Sequence, residues 1–335
     1  MGGHVGIVVH FQNVETEHTA GGELGVCAWI NSAGWREHPL GDAILAVAGK
    51  DRNISIISVV ESRVIHMLKG HASDVIDLCG CLGKPALLAS LSKDGHVRVW
   101  DVHRQEAVVS LTHPGATSIC LSPDGSHAII GTKKGDLCRL HLPAALLPDQ
   151  RKRKADGPFG GRLNTLDMAG AHAREMVDCL AYISPALLVS KSVDGRMHVW
   201  DAASMTSQAS WRVPSGTVEN EPWSRFAADP AGAFIAVGNS LGDLYIYESV
   251  TGKRLSHVEP IRVNAPMRGC CVSSDCRRVL AVLGNGFIFR YQCTAKQAGS
   301  EGATLAGKGP EVARIDQAAA QAVSSEQKEN CNGNT

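Results

Sequence analysis

Residues 69–102 read KGHASDVIDLCGCLGKPALLASLSKDGHVRVWDV, and residues 171–202 read AHAREMVDCLAYISPALLVSKSVDGRMHVWDA. Each stretch opens near a His, passes through apolar runs to Asp-Gly, and closes on an alternating segment ending in Trp-Asp. His71 and Trp100 lie 29 positions apart, and His172 and Trp200 lie 28 apart. In both copies the Asp precedes the Trp by six positions, Asp94 before Trp100 and Asp194 before Trp200. Self-similarity of this kind marks a repeat architecture, in which one unit buries its apolar face only against its neighbours. The Asp-Gly pair predicts a tight hairpin turn, because Gly accepts positive φ. The alternation in HVRVW and MHVW predicts strands with one buried face.

These two stretches resemble WD40 repeats, whose copies run four strands to a blade with Gly-His and Trp-Asp signatures. The resemblance implies that His71, Ser90, Asp94 and Trp100 join in one hydrogen-bonded chain, and that His172, Ser190, Asp194 and Trp200 do the same. In such a chain the Asp holds the imidazole and the indole N–H finds a buried acceptor. A Ser, His and Asp together also invite a catalytic-triad reading. Recurrence of the set at the repeat period, and a Ser that leads no nucleophile elbow, favour the structural reading.

Weaker copies fill the remainder. They are AILAVAGKDRNISIISV within 28–59, SICLSPDGSHAIIGTKKGDLCRLHL at 118–142, SRFAADPAGAFIAVGNSLGDLYIYE at 224–248 and MRGCCVSSDCRRVLAVLGNGFIFRYQ at 267–292. The count reaches six units, preceded by one apolar run at 5–11. The expected fold is an all-β WD40 β-propeller of the seven-bladed type, with an incomplete first blade over 1–23 and six clear blades over 24–292. An unclosed propeller exposes strand edges. Two segments fall outside this scheme. A long loop at 143–171 carries the basic run Arg151, Lys152, Arg153 and Lys154, a candidate nuclear import signal or nucleic-acid contact as well as a plain solvated cluster. The tail at 293–335 is rich in Ala, Gly, Ser, Gln and Glu and is expected to be disordered.

Composition narrows the class. The 335 residues include 33 Lys+Arg and 33 Asp+Glu, so the formal net charge is zero. That argues against coating nucleic acid by bulk charge, and against an acidic solvating chain. A hydrophobic fraction of 44% supplies a large core, and 35 Gly favour a turn-rich β fold. The apolar run at 5–11 is too short for a secretory core or a membrane span. The 11 Cys are odd in number and include no CxxC pair. They read as reduced, small buried hydrophobes.

Finer wording points to one branch. Val26-Cys27-Ala28-Trp29, then 44–49 (ILAVAG), then Gly70-His71 resemble the second and third blades of the EED / extra sex combs family, the WD40 subunit of Polycomb repressive complex 2. Val177-Asp178-Cys179 and 188–194 (LVSKSVD) resemble its fifth blade. Trp223-Ser224-Arg225-Phe226 with 236–239 (AVGN) resemble its sixth, and Met267-Arg268 with 287–291 (FIFRY) its last. The WD40 half of the leucine-rich repeat and WD repeat-containing, origin-recognition-associated protein shares several of these features.

The family resemblance implies a function on one face of the propeller. An aromatic cage holds a trimethyl-lysine of a histone tail by cation–π attraction, and a histone methyltransferase subunit docks on the other face. Trp223 falls at one cage position and Arg268 beside the peptide channel; both are the candidate histone-binding residues. Pro222 and Gly25 fall where the family has aromatics, so a depleted cage is expected. The resulting expectation is a nuclear, non-enzymatic chromatin scaffold, with no cofactor, no metal and no membrane association. Nucleic acid would be met only through residues 151–154. An origin-recognition-associated protein and a generic adaptor, such as a ubiquitin-ligase substrate receptor, are the alternatives. The second is disfavoured because neither Trp100-Asp101-Val102-His103 nor Trp200-Asp201-Ala202-Ala203 carries the Arg common in such receptors.

Overall fold

The computed structural model describes residues 23–31, 43–143, 163–168, 170–214, 224–259, 265–273, 275–294, 314–315 and 321–322. Among these residues every regular element is a β-strand. The first sheet holds β1 (Leu24–Ile30), β2 (Ile44–Gly49), β3 (Ile54–Ser58) and β4 (Arg63–Leu68). The second holds β5 (Val75–Gly80), β6 (Leu87–Ser92), β7 (His96–Asp101) and β8 (Glu106–Thr112). The third holds β9 (Ala116–Leu121), β10 (His127–Thr132), β11 (Leu137–His141) and β12 (Leu163–Met168). The fourth holds β13 (Val177–Ser184), β14 (Leu187–Ser192), β15 (Arg196–Asp201) and β16 (Ser207–Arg212). The fifth holds β17 (Ala227–Ala228), β18 (Phe234–Gly238), β19 (Leu244–Glu248) and β20 (Arg254–Val258). The sixth holds β21 (Met267–Val272), β22 (Arg278–Leu283) and β23 (Ile288–Thr294), with two short pieces, β24 (Arg314–Ile315) and β25 (Gln321–Ala322), pairing with β23.

Within each sheet the strands follow one another as a meander. Six such sheets are the blades of an all-β WD40 propeller fold. The run at 5–11, expected as the remnant of a further blade, lies outside the described residues. The turn between the second and third strands needs a left-handed residue. Gly95 takes it at φ 80°. The first sheet places Arg52 in that role at φ 66°. Register shifts between the third and fourth strands recur at Ile56/Ile57, Val99/Trp100, Val199/Trp200 and Ile246/Tyr247. A bulge at this place adds twist and re-aims the side chain that follows, which is the signature Trp in two of the four.

The chain divides into two compact units, Met1–Pro185 and Ala186–Thr335. In the first, β1 packs along β5, β5 along β9 and β9 along β13. Ile44, Ile54, Ile56 and Leu68 of the first sheet form one core with Leu88 and Trp100 of the second. Leu91, Val97 and Val99 form another with Ile119, Ile130 and Leu140 of the third. In the second unit, Ala236, Leu244 and Ile246 pack on Met267, Val279, Ala281 and Phe289. Each fully buried Leu, Ile or Val of these cores contributes about 1.5–3 kcal/mol.

Two segments set apart in the sequence contain short strands among the described residues. Part of the segment set aside as a loop at 143–171 is strand: β12 pairs with β11 through Leu137↔Met168, Arg139↔Asn164 and Leu140↔Leu163. The third sheet requires a fourth strand to cover β11, and this segment supplies it. The tail expected to be disordered pairs with β23 at residues 314–315 and 321–322. An open strand edge presents unpaired N–H and C=O groups that attract such cover. Residues 151–154 lie outside the described residues.

Candidate functional site

The second sheet assembles the four signature residues into one chain. Trp100 Nε1–H donates to Ser90 Oγ at 2.8 Å, and Ser90 Oγ lies 2.7 Å from His71 Nε2. His71 Nδ1 lies 3.1 Å from Asp94 Oδ2. One tautomer satisfies every member: the Ser90 hydroxyl donates to Nε2, and Nδ1–H donates to the carboxylate. Asp94 also accepts from the backbone N–H of Ala72 and of His96, each at 2.8 Å. Burial pushes the Asp94 carboxyl up, but these two N–H donors and the His71 ring outweigh it and hold it at about 2. Burial lowers the His71 pKa, overcoming the Asp94 charge, so the ring is neutral and suited to its two roles. Gly70 completes the arrangement. A Cβ there would lie 3.3 Å from the Trp100 ring and 3.4 Å from the Arg98 guanidinium, which itself sits 5.8 Å from the indole centroid.

This Ser-His-Asp set is not a nucleophile. Ser90 is wholly buried, and its hydroxyl is engaged on both sides. A substrate carbonyl has no route to it. The set locks the loop before β5 onto the turn before β7 and onto the body of β7.

The second copy repeats the tryptophan–serine bond. Trp200 Nε1–H donates to Ser190 Oγ at 2.8 Å, as in the first. Asp194 accepts from Ser192 Oγ at 2.5 Å and from the Arg196 N–H at 3.2 Å, and its Oδ2 lies 3.6 Å from Arg212. Burial raises the Asp194 carboxyl, and these partners more than reverse that, leaving it lowered. The Asp here organises its own hairpin. His198, at the place of Arg98, stacks on Trp200 at 5.0 Å and 17°. His172 is buried in the first unit, where its N–H donates to the Gly135 carbonyl at 3.0 Å.

Of the two histone-binding candidates, Trp223 lies outside the described residues. Arg268 is exposed on β21, the first strand of the sixth sheet. Its carbonyl accepts the Arg225 N–H at 3.0 Å, and Arg225 bridges Gly269 in parallel. The start of β21 is thereby fixed against the residues entering β17. At Gly25, on β1, a Cβ would meet nothing within 4 Å, and the sequence provides no aromatic side chain at this position.

Two features escaped the sequence reading because they join different sheets. Asp77, buried on β5, accepts from the Leu78 N–H and from the Ile119 N–H of β9, each at 2.8 Å. Thr117 of β9 donates to the Val177 carbonyl of β13 at 2.6 Å. A second polar chain links the third sheet to β13. Tyr182 OH lies 2.8 Å from His127 Nε2, Ser126 Oγ lies 2.8 Å from His127 Nδ1, and Ser126 Oγ lies 2.9 Å from Asp124 Oδ1. Burial raises the Tyr182 phenol and lowers the His127 ring. Asp124 is held at about 2 by the Ser122 and Ser126 bonds, against the upward push of burial. The SPDG turn was legible as a turn, but nothing in it signalled a tyrosine 55 positions away. Among the described residues, no group of three His, Cys, Asp or Glu is placed to hold a metal ion.

The family described as "WD domain, G-beta repeat" matches residues 62–101, the last strand of the first sheet through the third of the second. The chain is similar to WD40 proteins of the Polycomb group. Polycomb group protein FIE2 of Zea mays is 23% identical over 279 residues, 76% of this chain and 72% of that protein. Polycomb group protein FIE1 of Oryza sativa subsp. japonica is 23% identical over 277 residues, 75% and 71% of the two. Polycomb protein EED of Chaetomium thermophilum is 30% identical over 69 residues, which is 20% of this chain and 12% of that protein.

Proposed function

We propose that this chain is a non-enzymatic WD40 scaffold of chromatin regulation, of the Polycomb kind. The observation that carries this reading is the similarity to Polycomb group proteins along three quarters of the chain, on a frame of repeated four-stranded sheets. The buried, fully engaged Ser90 supports the non-enzymatic part. A platform of rigid sheets joined by short turns suits a protein that holds others in place.

The finer reading follows the same line. The scaffold acts in the nucleus, holds a histone methyltransferase subunit, and meets a histone tail near Arg268 and Trp223. Gly25 and Pro222 leave the cage short of aromatic faces. One exposed cation–π contact is worth about 0.5–1 kcal/mol, so trimethylated and unmodified peptides bind with similar affinity. Affinity purification of the full chain from nuclear extract tests the scaffold: a SET-domain methyltransferase subunit is expected, and origin-recognition or ubiquitin-ligase subunits in its place overturn the assignment. Calorimetry with the two peptides tests the reader: a strong preference for the methylated form, lost in Trp223→Ala, overturns the depleted cage.

A further inference from the structure

In each meander the turn between the second and third strands lies at the same end as the loops that enter and leave the sheet. In the first unit, backbone hydrogen bonds join these pieces into one rim. Lys93 N–H donates to the Asp74 carbonyl at 2.9 Å, His113 N–H to Gly95 at 2.6 Å, Lys133 N–H to Gly115 at 2.8 Å and His172 N–H to Gly135 at 3.0 Å. The rim is basic. Arg52, Lys69, Lys133, Lys134 and Arg174 are exposed on it, and among the described residues none of the five has a carboxylate partner. Lys50 and Lys93 stand there too, matched by Glu23 and Asp74 at 2.8 Å each. The other carboxylates are mostly withdrawn. Asp51 is buried, Asp94 serves His71, and Asp136 accepts the Gly170 N–H at 2.8 Å. Glu175 is the exposed carboxylate left without a cation among the described residues. The opposite end of the same sheets is balanced. There Arg63 pairs with Glu61, Arg104 pairs with Asp101 at 3.5 Å, and Glu106 and Asp124 offset Lys84.

We propose that this rim docks on the phosphate backbone of duplex DNA, without reading its sequence. The chain has zero net charge, so bulk charge gives no such affinity; uneven placement does. The first residue of the turn is a lysine in all three sheets, Lys50, Lys93 and Lys133. Lys69 and Arg174 stand in the loops between sheets. Positive charge is thus spread along the rim at the spacing of the sheets, and not gathered in one pocket. Duplex DNA offers the matching partner, a long row of phosphates at one charge per about 1.7 Å of helix axis. Lysine and arginine contacts to phosphate hold a protein on DNA and carry no base information. An acidic protein fits less well. Protein interfaces centre on apolar or aromatic anchors, and three of the four exposed large apolar side chains of this unit, Trp29, Val60 and Leu82, lie at the opposite end. The inference rests on charge placement alone, so it stands or falls apart from the histone and methyltransferase reading.

Fluorescence anisotropy of the full chain with a labelled mixed-sequence duplex tests it. Binding is expected to weaken about tenfold or more between about 50 and 150 mM salt, as counterion release requires. The triple variant Lys69→Glu, Lys133→Glu, Lys134→Glu is expected to bind about tenfold or more weakly at the lower salt, with a flatter salt dependence. Lys84→Glu with Arg104→Glu, at the opposite end, is expected to stay within about twofold. Lys133→Gln with Lys134→Gln removes charge without reversing it; a loss of about threefold or more is expected, and it decides the matter if the reversal disturbs the fold. The chain with residues 151–154 all replaced by Ser is expected to keep binding. Several results overturn the proposal: no binding at the lower salt, rim variants that bind as the unaltered chain does, an equal loss in the opposite-end variant, or complete loss on replacing 151–154. An oligoglutamate that displaces the duplex as well as unlabelled DNA, charge for charge, also overturns it, because the rim then takes acidic peptides as readily as phosphates.

Discussion

The hydroxyl of Ser90 stands 2.8 Å from the indole nitrogen of Trp100, with both side chains out of contact with solvent. The same hydroxyl serves His71. Ser90→Ala therefore strands two buried polar groups at once, at a cost of about 2–4 kcal/mol. Urea unfolding measures it. A loss below about 0.5 kcal/mol would mean that the hydroxyl is not the hub of this chain.

Stability should fall on mild acidification. The folded pKa of His71 lies below its unfolded value of 6.5 because of burial, and burial depresses His127 and His198 in the same direction. Between the folded and unfolded values the unfolded chain binds more protons. The contribution of these rings is thus fully present above pH 6.5 and is lost as pH falls through their folded values; for His71 the slope is at most about 1.4 kcal/mol per pH unit, and for the half-exposed His127 and His198 rings solvent screening makes it smaller. Asp94 and Asp124, held at about 2, add a second loss below pH 3.8. The melting temperature at pH 5.5 should lie below that at pH 8, and equal values would contradict the neutral rings.

The turn glycines offer a contrast between two sheets. Gly95→Ala places a Cβ at φ 80°, 3.3 Å from the Pro114 backbone, and costs about 1–2 kcal/mol. Arg52→Gly relieves the same backbone conformation in the first sheet and changes stability by less than about 1 kcal/mol in the favourable direction, because Gly also loses more chain entropy. Opposite signs in thermal melts are the expected result.

Asp77→Ala removes the carboxylate that spans β5 and β9. Two buried N–H groups lose their acceptor, and the cost is about 2–4 kcal/mol. Hydrogen exchange should quicken at Leu78 and Ile119 before it does at the centre of β6. Global loss without that local signature would place the role of Asp77 elsewhere.

Tyr182→Phe keeps the ring and deletes the hydroxyl that meets His127. A cost of about 1–2 kcal/mol is expected, together with a changed His127 ring nitrogen shift in NMR. An unaltered ring signal would show that the phenol does not engage it.

How far the sequence could be read depended on whether a feature was local. The Asp-Gly turns, the alternating third strands and the Trp–Ser pairs are set by residues within about a dozen positions, and all were visible in 69–102 and 171–202. His71 could be assigned to Asp94 because the motif recurs. The same motif predicts His172 as a partner of Asp194. The Arg212 and Ser192 side chains that draw it into the hairpin are indistinguishable, in sequence, from ordinary surface polar residues. The strand at 163–168 was hidden by its composition, LNTLDM, which alternates weakly and follows a basic, Pro- and Gly-containing stretch.

By itself the sequence determined the class of fold, the repeat unit and the turn chemistry, because backbone sterics and the two-residue period of a strand act over a few residues. Only the tertiary structure decided which sheet edges and faces are covered. Asp77 finds Ile119, Tyr182 finds His127 and the tail finds β23 across 42, 55 and about 30 residues of chain. Pairings at such distance are selected by the packing of whole sheets, which satisfies buried polar groups wherever the chain brings a partner, and no local pattern encodes them.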